Sequence, residues 1–264
     1  MMKKLLATLT ILSSVNAWAN TSPVKPVSAE LVVEHVANAG VKIISGDKVT
    51  LIDALFGPHS RFSFLDEQEF QQLSEKGANL ALTTHAHSDH FHPKQTTAFL
   101  KENDETLLVT TPQTIKHLGR ITDSAHILSP ELTGFQSQQF SHDDIKVSVL
   151  SFPHMAPQTQ TQNYAYLVEV NGWKVLHVGD ADINAEVIAA HQLAKQNIDL
   201  LLIHDLFPLI KENYRELLEQ INAGKVAFVH VMDNKVKPLT LWLKDNLPDA
   251  TLLATGHENL VLKR

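Results

Sequence analysis

The sequence predicts two mixed β-sheets covered by helices in one domain, and three observations lead to that architecture. Two hairpin signals stand far apart, one around "SGDK" (45–48) and one at Asn171-Gly172, each flanked by apolar runs. Between and beyond them, short strand-like runs alternate with helical stretches. The 264 residues are 44% hydrophobic and 19% charged, which supplies a substantial core, and no repeat or low-complexity tract follows residue 28.

Along the chain, "GVKIISGDKVTLIDALF" (40–56) is the first hairpin, and "DEQEFQQLSEKG" (66–77) is a helix closed by Gly77. "NLALTTH" (79–85) is an apolar strand running into a cluster of histidines. "PKQTTAFLKEND" (93–104) is a helix with proline in its first turn. "TLLVTTP" (106–112) and the alternating "DIKVSVLSFP" (144–153) are strands. "NYAYLVEVNGWKVLHVGD" (163–180) is the second hairpin. A helix over 184–197 leads to the strand "IDLLLIHDL" (198–206), and an amphipathic helix over 210–224, closed by Gly224, leads to "KVAFVHVM" (225–232). A helix near "PLTLWLKDNL" (238–247) and a last strand "TLLATG" (251–256) complete the pattern.

The ends and the charge narrow the setting. Lys3 and Lys4, the apolar "LLATLTILSSV" and the "AWA" at 17–19, with small Ala17 and Ala19, form the three parts of a secretory signal peptide. The apolar run is shorter than the roughly 20 residues that cross a bilayer, so a stable membrane anchor is not expected. The expectation is a leader over 1–19, cleaved near Ala19, a polar lead-in over 20–28, one domain over 29–264, and a periplasmic or secreted protein. Net charge is −7. Loss of Lys3 and Lys4 leaves 20 basic against 29 acidic side chains, a poor match to phosphate backbones, so no nucleic-acid partner is expected. There is no cysteine, so stability rests on the core, and any metal site must use imidazole and carboxylate.

"LALTTHAHSDHFHP" (80–93) makes a metal the natural reading. His85 and His87 are two apart at a strand end, so their side chains emerge on one side. Asp89 and His90 follow where the chain turns toward a helix and can face a second point nearby. H-x-H-x-D-H therefore suits two neighbouring ions, and donors without thiolate fit zinc first, manganese or iron less well. Three later residues leave strands in a similar way: His154 after Pro153, Asp180 through a glycine turn, and His230 in an apolar strand. A carboxylate leaving an apolar strand needs a cation or strong donors.

On these motifs the chain resembles the metallo-β-lactamase superfamily, over about residues 30–264. "GVKIISGDKVTLIDALF" is similar to the family's opening hairpin, with Asp53 in the place of its recurrent aspartate. "THAHSDH" is similar to its hallmark cluster, and "SFPHMAP", "KVLHVGD" and "KVAFVHVMDN" follow in the family's order. The resemblance implies a four-layer αββα sandwich of the mixed α/β class. It also implies a first metal held by His85, His87 and His154, a second by Asp89, His90 and His230, and Asp180 bridging both. His257 in "ATGHENL" competes with His230 for the last position. His204, Asp205 and Tyr164 are candidates for contact with substrate or with the ligands.

Two such ions lower the pKa of a water between them, so hydroxide forms near neutral pH without a protein base. The implied reaction is hydrolysis, with Asp89 and Asp180 as catalytic carboxylates: Asp89 orients the nucleophile and takes a proton, and Asp180 links the metals. Asp180 argues against the His-rich β-lactamase subclass, which lacks that aspartate, and His87 against iron-dependent oxidoreductase relatives, which carry glutamate there. The acidic balance argues against RNA-processing relatives. What remains is the branch that includes the ascorbate-phosphate lactonase and the phosphodiester or phospholipid hydrolases. The loop "MAPQTQTQNY" (155–164) follows His154 and offers hydrogen bonds but no positive charge, which favours a neutral or weakly charged small ester, lactone or amide. A periplasmic zinc-binding protein without catalysis is the alternative of a different class.

Overall fold

The first hairpin forms where its turn residues place it. Gly40–Ser45 (β2) and Lys48–Ile52 (β3) pair antiparallel, with Ser45 opposite Lys48. The computed structural model describes residues 29–118 and 126–264, so the expected leader (1–19) and lead-in (20–28) lie outside the described residues. Glu30–Ala37 (β1) precedes the hairpin and pairs with β2. Beyond β3 the sheet becomes parallel through Leu80–Leu82 (β4), Leu107–Val109 (β5) and Ile127–Leu128 (β6).

The second sheet repeats this plan. Ser137–His142 (β7), Ile145–Pro153 (β8), Gln162–Val170 (β9) and Trp173–His177 (β10) run antiparallel. Leu200–His204 (β11), Lys225–Val229 (β12) and Thr251–Leu252 (β13) continue parallel. Asn171 and Gly172 both take positive φ, as a two-residue turn between twisted strands requires. Asn259–Lys263 (β14) returns to the first sheet beside β1, so among the described residues each sheet has seven strands.

Parallel neighbours need crossovers, and helices supply them on the outer faces. Glu67–Lys76 (α1), Pro93–Glu102 (α2) and Pro112–Leu118 (α3) cover the first sheet through Leu73, Phe99 and Leu118. Ala185–Ala190 (α4), Phe207–Ile210 (α5), Tyr214–Ile221 (α6) and Val236–Asn246 (α7) cover the second through Val187, Phe207, Leu217 and Leu243. Between the sheets lies one apolar layer in which Val33, Ile43 and Leu82 meet Val147, Tyr166 and Leu202. The four-layer αββα sandwich is the architecture present. Among the described residues no helix is long and apolar enough to cross a membrane.

Local chemistry explains where elements begin and stop. Asp66 caps α1 in a reciprocal box with Glu69, and Gly77 ends it at φ 63°. The single helix expected over 184–197 is two pieces. After α4, His191 turns its ring onto the Ser151 carbonyl (3.2 Å), and Gln192 takes φ 50° before a short 3-10 turn at Leu193–Lys195. The helix expected over 210–224 starts at Tyr214 and ends at Ile221, because Asn222 adopts the left-handed conformation (φ 57°). Gly224 instead lets the chain pass Asp199, whose carbonyl would lie 3.1 Å from an added Cβ. "TLLATG" is not the last strand, since β14 follows.

Gly179 joins β10 to Asp180 at φ 58°, and a Cβ there would lie 2.8 Å from Thr84 Cβ and against Asn163 Oδ1. Both the conformation and the space exclude a side chain. Gly179→Ala is expected to cost about 2 kcal/mol or more of unfolding free energy in denaturant titration, through backbone strain and overpacking.

Candidate metal centre

The sequence-predicted ligands come together at the carboxyl ends of strands from both sheets, where ligands of open α/β sheets gather. His85 follows β4, His154 follows β8, Asp180 follows β10 and His230 follows β12. His87, Asp89 and His90 lie between β4 and α2. The ligating atoms of His85, His87, His154 and Asp180 all lie within 4.8 Å of one another, and so do those of Asp89, His90 and His230.

Neighbouring groups decide which nitrogen of each imidazole faces inward. Asp53, buried after β3, accepts the Thr84 hydroxyl (2.6 Å), the Thr84 N–H (2.8 Å) and Nδ1–H of His90 (2.8 Å). With its proton given to Asp53, the Thr84 hydroxyl can only accept from Nδ1–H of His85, at 3.0 Å. Nδ1–H of His154 donates to the Met155 carbonyl (2.9 Å). Each contact holds the proton on the outer nitrogen and turns the Nε2 lone pair inward, the tautomer a metal requires. His87 is reversed: its Nε2 meets the Thr161 hydroxyl (3.3 Å), and its Nδ1 lies 3.0 Å from Nε2 of His85.

Asp180 stands between the two sets. Its Oδ2 faces Nε2 of His154 (3.9 Å) and of His85 (4.0 Å), while Oδ1 faces Nε2 of His90 (3.3 Å) and of His230 (3.7 Å). Its backbone is clamped as well, with its N–H on Asn163 Oδ1 (3.1 Å) and its carbonyl accepting from Met155 N–H (2.9 Å). Nε2 of His90, Nε2 of His154 and Oδ1 of Asp180 are buried without a hydrogen bond. Such groups are costly to bury unless something else satisfies them, so this donor set fits divalent cations.

The electrostatics fit the same occupants. Burial pushes His85 well below the ordinary histidine value and lowers His87, so both are neutral imidazoles. Burial opposes charge on Asp180, but His230, His90 and His85 outweigh it and hold the carboxylate well below its usual range. Burial likewise opposes charge on His90, yet Asp180 and Asp53 raise it well above the ordinary value. A cation held by these groups would take the place of that proton.

A cleft of about 450 Å³ opens onto the centre. Asp205 lies on its wall, and burial pushes its carboxyl up to about 6. His204 is behind the wall: its Nε2–H donates to the Ala181 carbonyl (3.0 Å), and burial holds it at about 4. Two expectations are corrected. Tyr164 does not contact the site, because its hydroxyl donates to the Pro130 carbonyl (2.6 Å) within the layer between the sheets. His257 does not compete with His230, because it is exposed and paired with Glu69 at 3.0 Å.

Sequence reasoning missed the residues that hold the second set. Asn38, buried between β1 and β2, accepts from His230 N–H (3.0 Å) and donates its amide to the Asp89 carbonyl (2.7 Å). Asp89 Oδ2 then lies 3.2 Å from Nε2 of His230. The loop between β3 and α1 was also missed, although its His59, Arg61 and Phe62 line the cleft. Nothing in "GPHSRFSF" marks it except its position after Asp53.

Comparison with known proteins agrees with this geometry. The family model of the Beta-lactamase superfamily domain matches residues 49–230, more than half of the chain. No curated protein sequence matches. Among solved structures, a possible metal-dependent hydrolase from Veillonella parvula is similar at TM-score 0.66 and 16% identity, covering 89% of this chain and 100% of that one. Igni18, a metallo hydrolase from Ignicoccus hospitalis, is similar at TM-score 0.63 and 12% identity, covering 89% and 99%. CmlA, a diiron beta-hydroxylase from Streptomyces venezuelae, is similar at TM-score 0.59 and 15% identity, and this chain spans only 54% of its length. With the motif order, the αββα sandwich and the clustered candidate ligands, the family match establishes that the chain belongs to the β-lactamase superfamily and has the metallo-β-lactamase fold.

Proposed function

We propose that the protein is a binuclear hydrolase acting on an ester, lactone or amide-type bond of a small molecule. The observation that supports this reading is the two-sided placement of Asp180, one oxygen toward each ligand set. Imidazole and carboxylate donors without thiolate favour zinc, with manganese or iron as substitutes. When bound, divalent ions supply Lewis acidity that brings a water toward neutral pKa and offsets charge developing on the substrate oxygen. The chain's own residues do the rest. Thr84, Asp53 and the Met155 carbonyl hold the imidazoles in register. Asp89, half-buried on the cleft wall, is the carboxylate positioned to orient the attacking water and to receive a proton. Met155, Leu206 and Met232 give the cleft an apolar side that limits water around the substrate. Phosphodiester cleavage is the second reading, favoured by Arg61 on the cleft wall. We also infer export, on the strength of Lys3, Lys4, the apolar run and Ala17–Ala19.

In zinc-loaded protein, chromogenic esters or lactones are expected to turn over faster than phosphodiesters and β-lactams. His154→Ala should lower bound zinc and reduce that turnover roughly 100-fold or more, with circular dichroism unchanged. Phosphodiesterase activity far above the rest would reverse the bond type, and stoichiometric zinc without any turnover would favour a binding protein.

The pH dependence has a definite sign. His90 is held protonated by Asp180 and Asp53, and a ligating nitrogen must lose its proton, so acid competes with metal. Zinc affinity should fall as pH drops through the raised His90 value, which lies above the ordinary histidine range, and calorimetry in buffers of different ionisation enthalpy should show proton release; proton uptake would contradict it.

Expressed in a Gram-negative host, the chain should be recovered from the periplasm beginning at Asn20 by terminal sequencing. Retention of Met1 would refute export by cleavage.

A further inference from the structure

The cleft wall formed by the loop between β3 and α1 is built around one ring. Phe62 is buried, and its ring packs 4.7 Å from that of His230, a candidate ligand. The Arg61 guanidinium carbon sits 5.7 Å from the centre of the same ring, and the His59 ring 5.1 Å from it. Arg61 and the His230 imidazole can therefore be no farther apart than two ring contacts in series. Arg61 is the only lysine or arginine among the described residues lining the cleft. No carboxylate among the described residues pairs with it, although the chain as a whole is acidic. The Arg61 backbone N–H donates to Nδ1 of His59 (3.3 Å), which leaves the proton of the neutral imidazole on Nε2.

A guanidinium over an aromatic ring, with an imidazole packed against that same ring, suits a planar oxyanion. The other carboxylates of the cleft have different surroundings. Asp89 and Asp180 belong to the metal centre, and Asp205 is buried at the end of β11. We propose that Arg61, assisted by His59, anchors an anionic group of the substrate, a carboxylate or a phosphate, while the scissile bond lies over the metal centre. The inference rests on the hydrolase reading and narrows it. The substrate is a small ester, lactone or amide with one negative charge set apart from the bond that is cut, and its apolar body lies against Phe62, Leu206 and Met232. Arg61 is then a specificity residue rather than a ligand.

Three substrates of matched length test this on zinc-loaded full chain: the mono-4-nitrophenyl ester of glutaric acid, the neutral 4-nitrophenyl butyrate, and a 4-nitrophenyl ester ending in a phosphate monoester. An anionic ester is expected to exceed the neutral one in kcat/KM by ~10- to 30-fold, the range of one charge-assisted hydrogen bond. Arg61→Gln should collapse that ratio through KM, Arg61→Lys should restore part of it, and 0.5 M salt should shrink it. Whichever anionic ester shows the larger ratio identifies the group as carboxylate or phosphate. Equal rates for charged and neutral esters, or an equal loss on all three in Arg61→Gln, would overturn the anchor. A calorimetric arm separates the anchor from the chemistry, since glutarate should bind ~10-fold or more tightly than butyrate, which offers a single carboxylate to the metals. If no ester turns over but that difference exists and disappears in Arg61→Gln, the anchor stands and the ester reading fails. If glutarate and butyrate bind alike, the anchor fails.

Discussion

The Asp53 carboxylate is buried where β3 ends, with the backbone turned to φ 50° so that the side chain points behind the metal centre. Its two oxygens take three donors, two from Thr84 and one from His90, and these three bonds set much of what faces the cleft. They orient His90 directly and His85 through the Thr84 hydroxyl, so one residue from each ligand set answers to the same carboxylate. A charge buried this deeply persists only with such donors around it. Thr84 also links the sheets, because its carbonyl accepts from Tyr164 N–H of β9 (2.9 Å).

Asn38 plays the matching part on the far side of the centre, tying the backbones of His230 and Asp89, which are distant in sequence. His230 gains from this support because it sits at φ 60°, a left-handed conformation uncommon for any residue with a side chain, and the surroundings fix it there. The ligands thus rest on a rigid frame of strand ends, while the cleft walls come from loops, an arrangement that separates the holding of cations from the choice of substrate.

Much of this was legible in the sequence, for definable reasons. The hairpins were readable because Asn171-Gly172 and the Gly46 turn carry strong local signals, and α1 because Asp66, Glu69 and Gly77 mark both its ends. The seven candidate ligands were readable because histidines and aspartates leaving apolar strands are conspicuous. β14 was not, because it is an edge strand whose burial is nearly confined to Leu260 and whose partner, β1, lies at the other end of the domain. β7, "SQQFSH", reads as loop because it is mostly exposed and polar. The split of the helix over 184–197 depends on the tertiary contact of His191 with Ser151. Tyr164 and His257 were misplaced because proximity in sequence to His154 and to a glycine turn says nothing about which way a ring points. Asn38 and Arg61 were invisible because neither stands in a motif, and the contacts of Asn38 with Asp89 and His230 and of Arg61 with Phe62 exist only once the chain has folded.

The segment after β8 and the segment after β10 meet in an isolated bridge, His154 opposite Ala181. Met155 N–H donates to Asp180 O, and Asp182 N–H donates to Pro153 O (2.8 Å). These two stretches reach past β9, which lies between their parent strands, and fasten to each other. An imidazole and a carboxylate are therefore delivered on a common backbone crosspiece, so thermal excursions of one are obliged to drag the other along. The separation between them resists breathing, although the neighbouring residues 156–160 lie exposed at the rim.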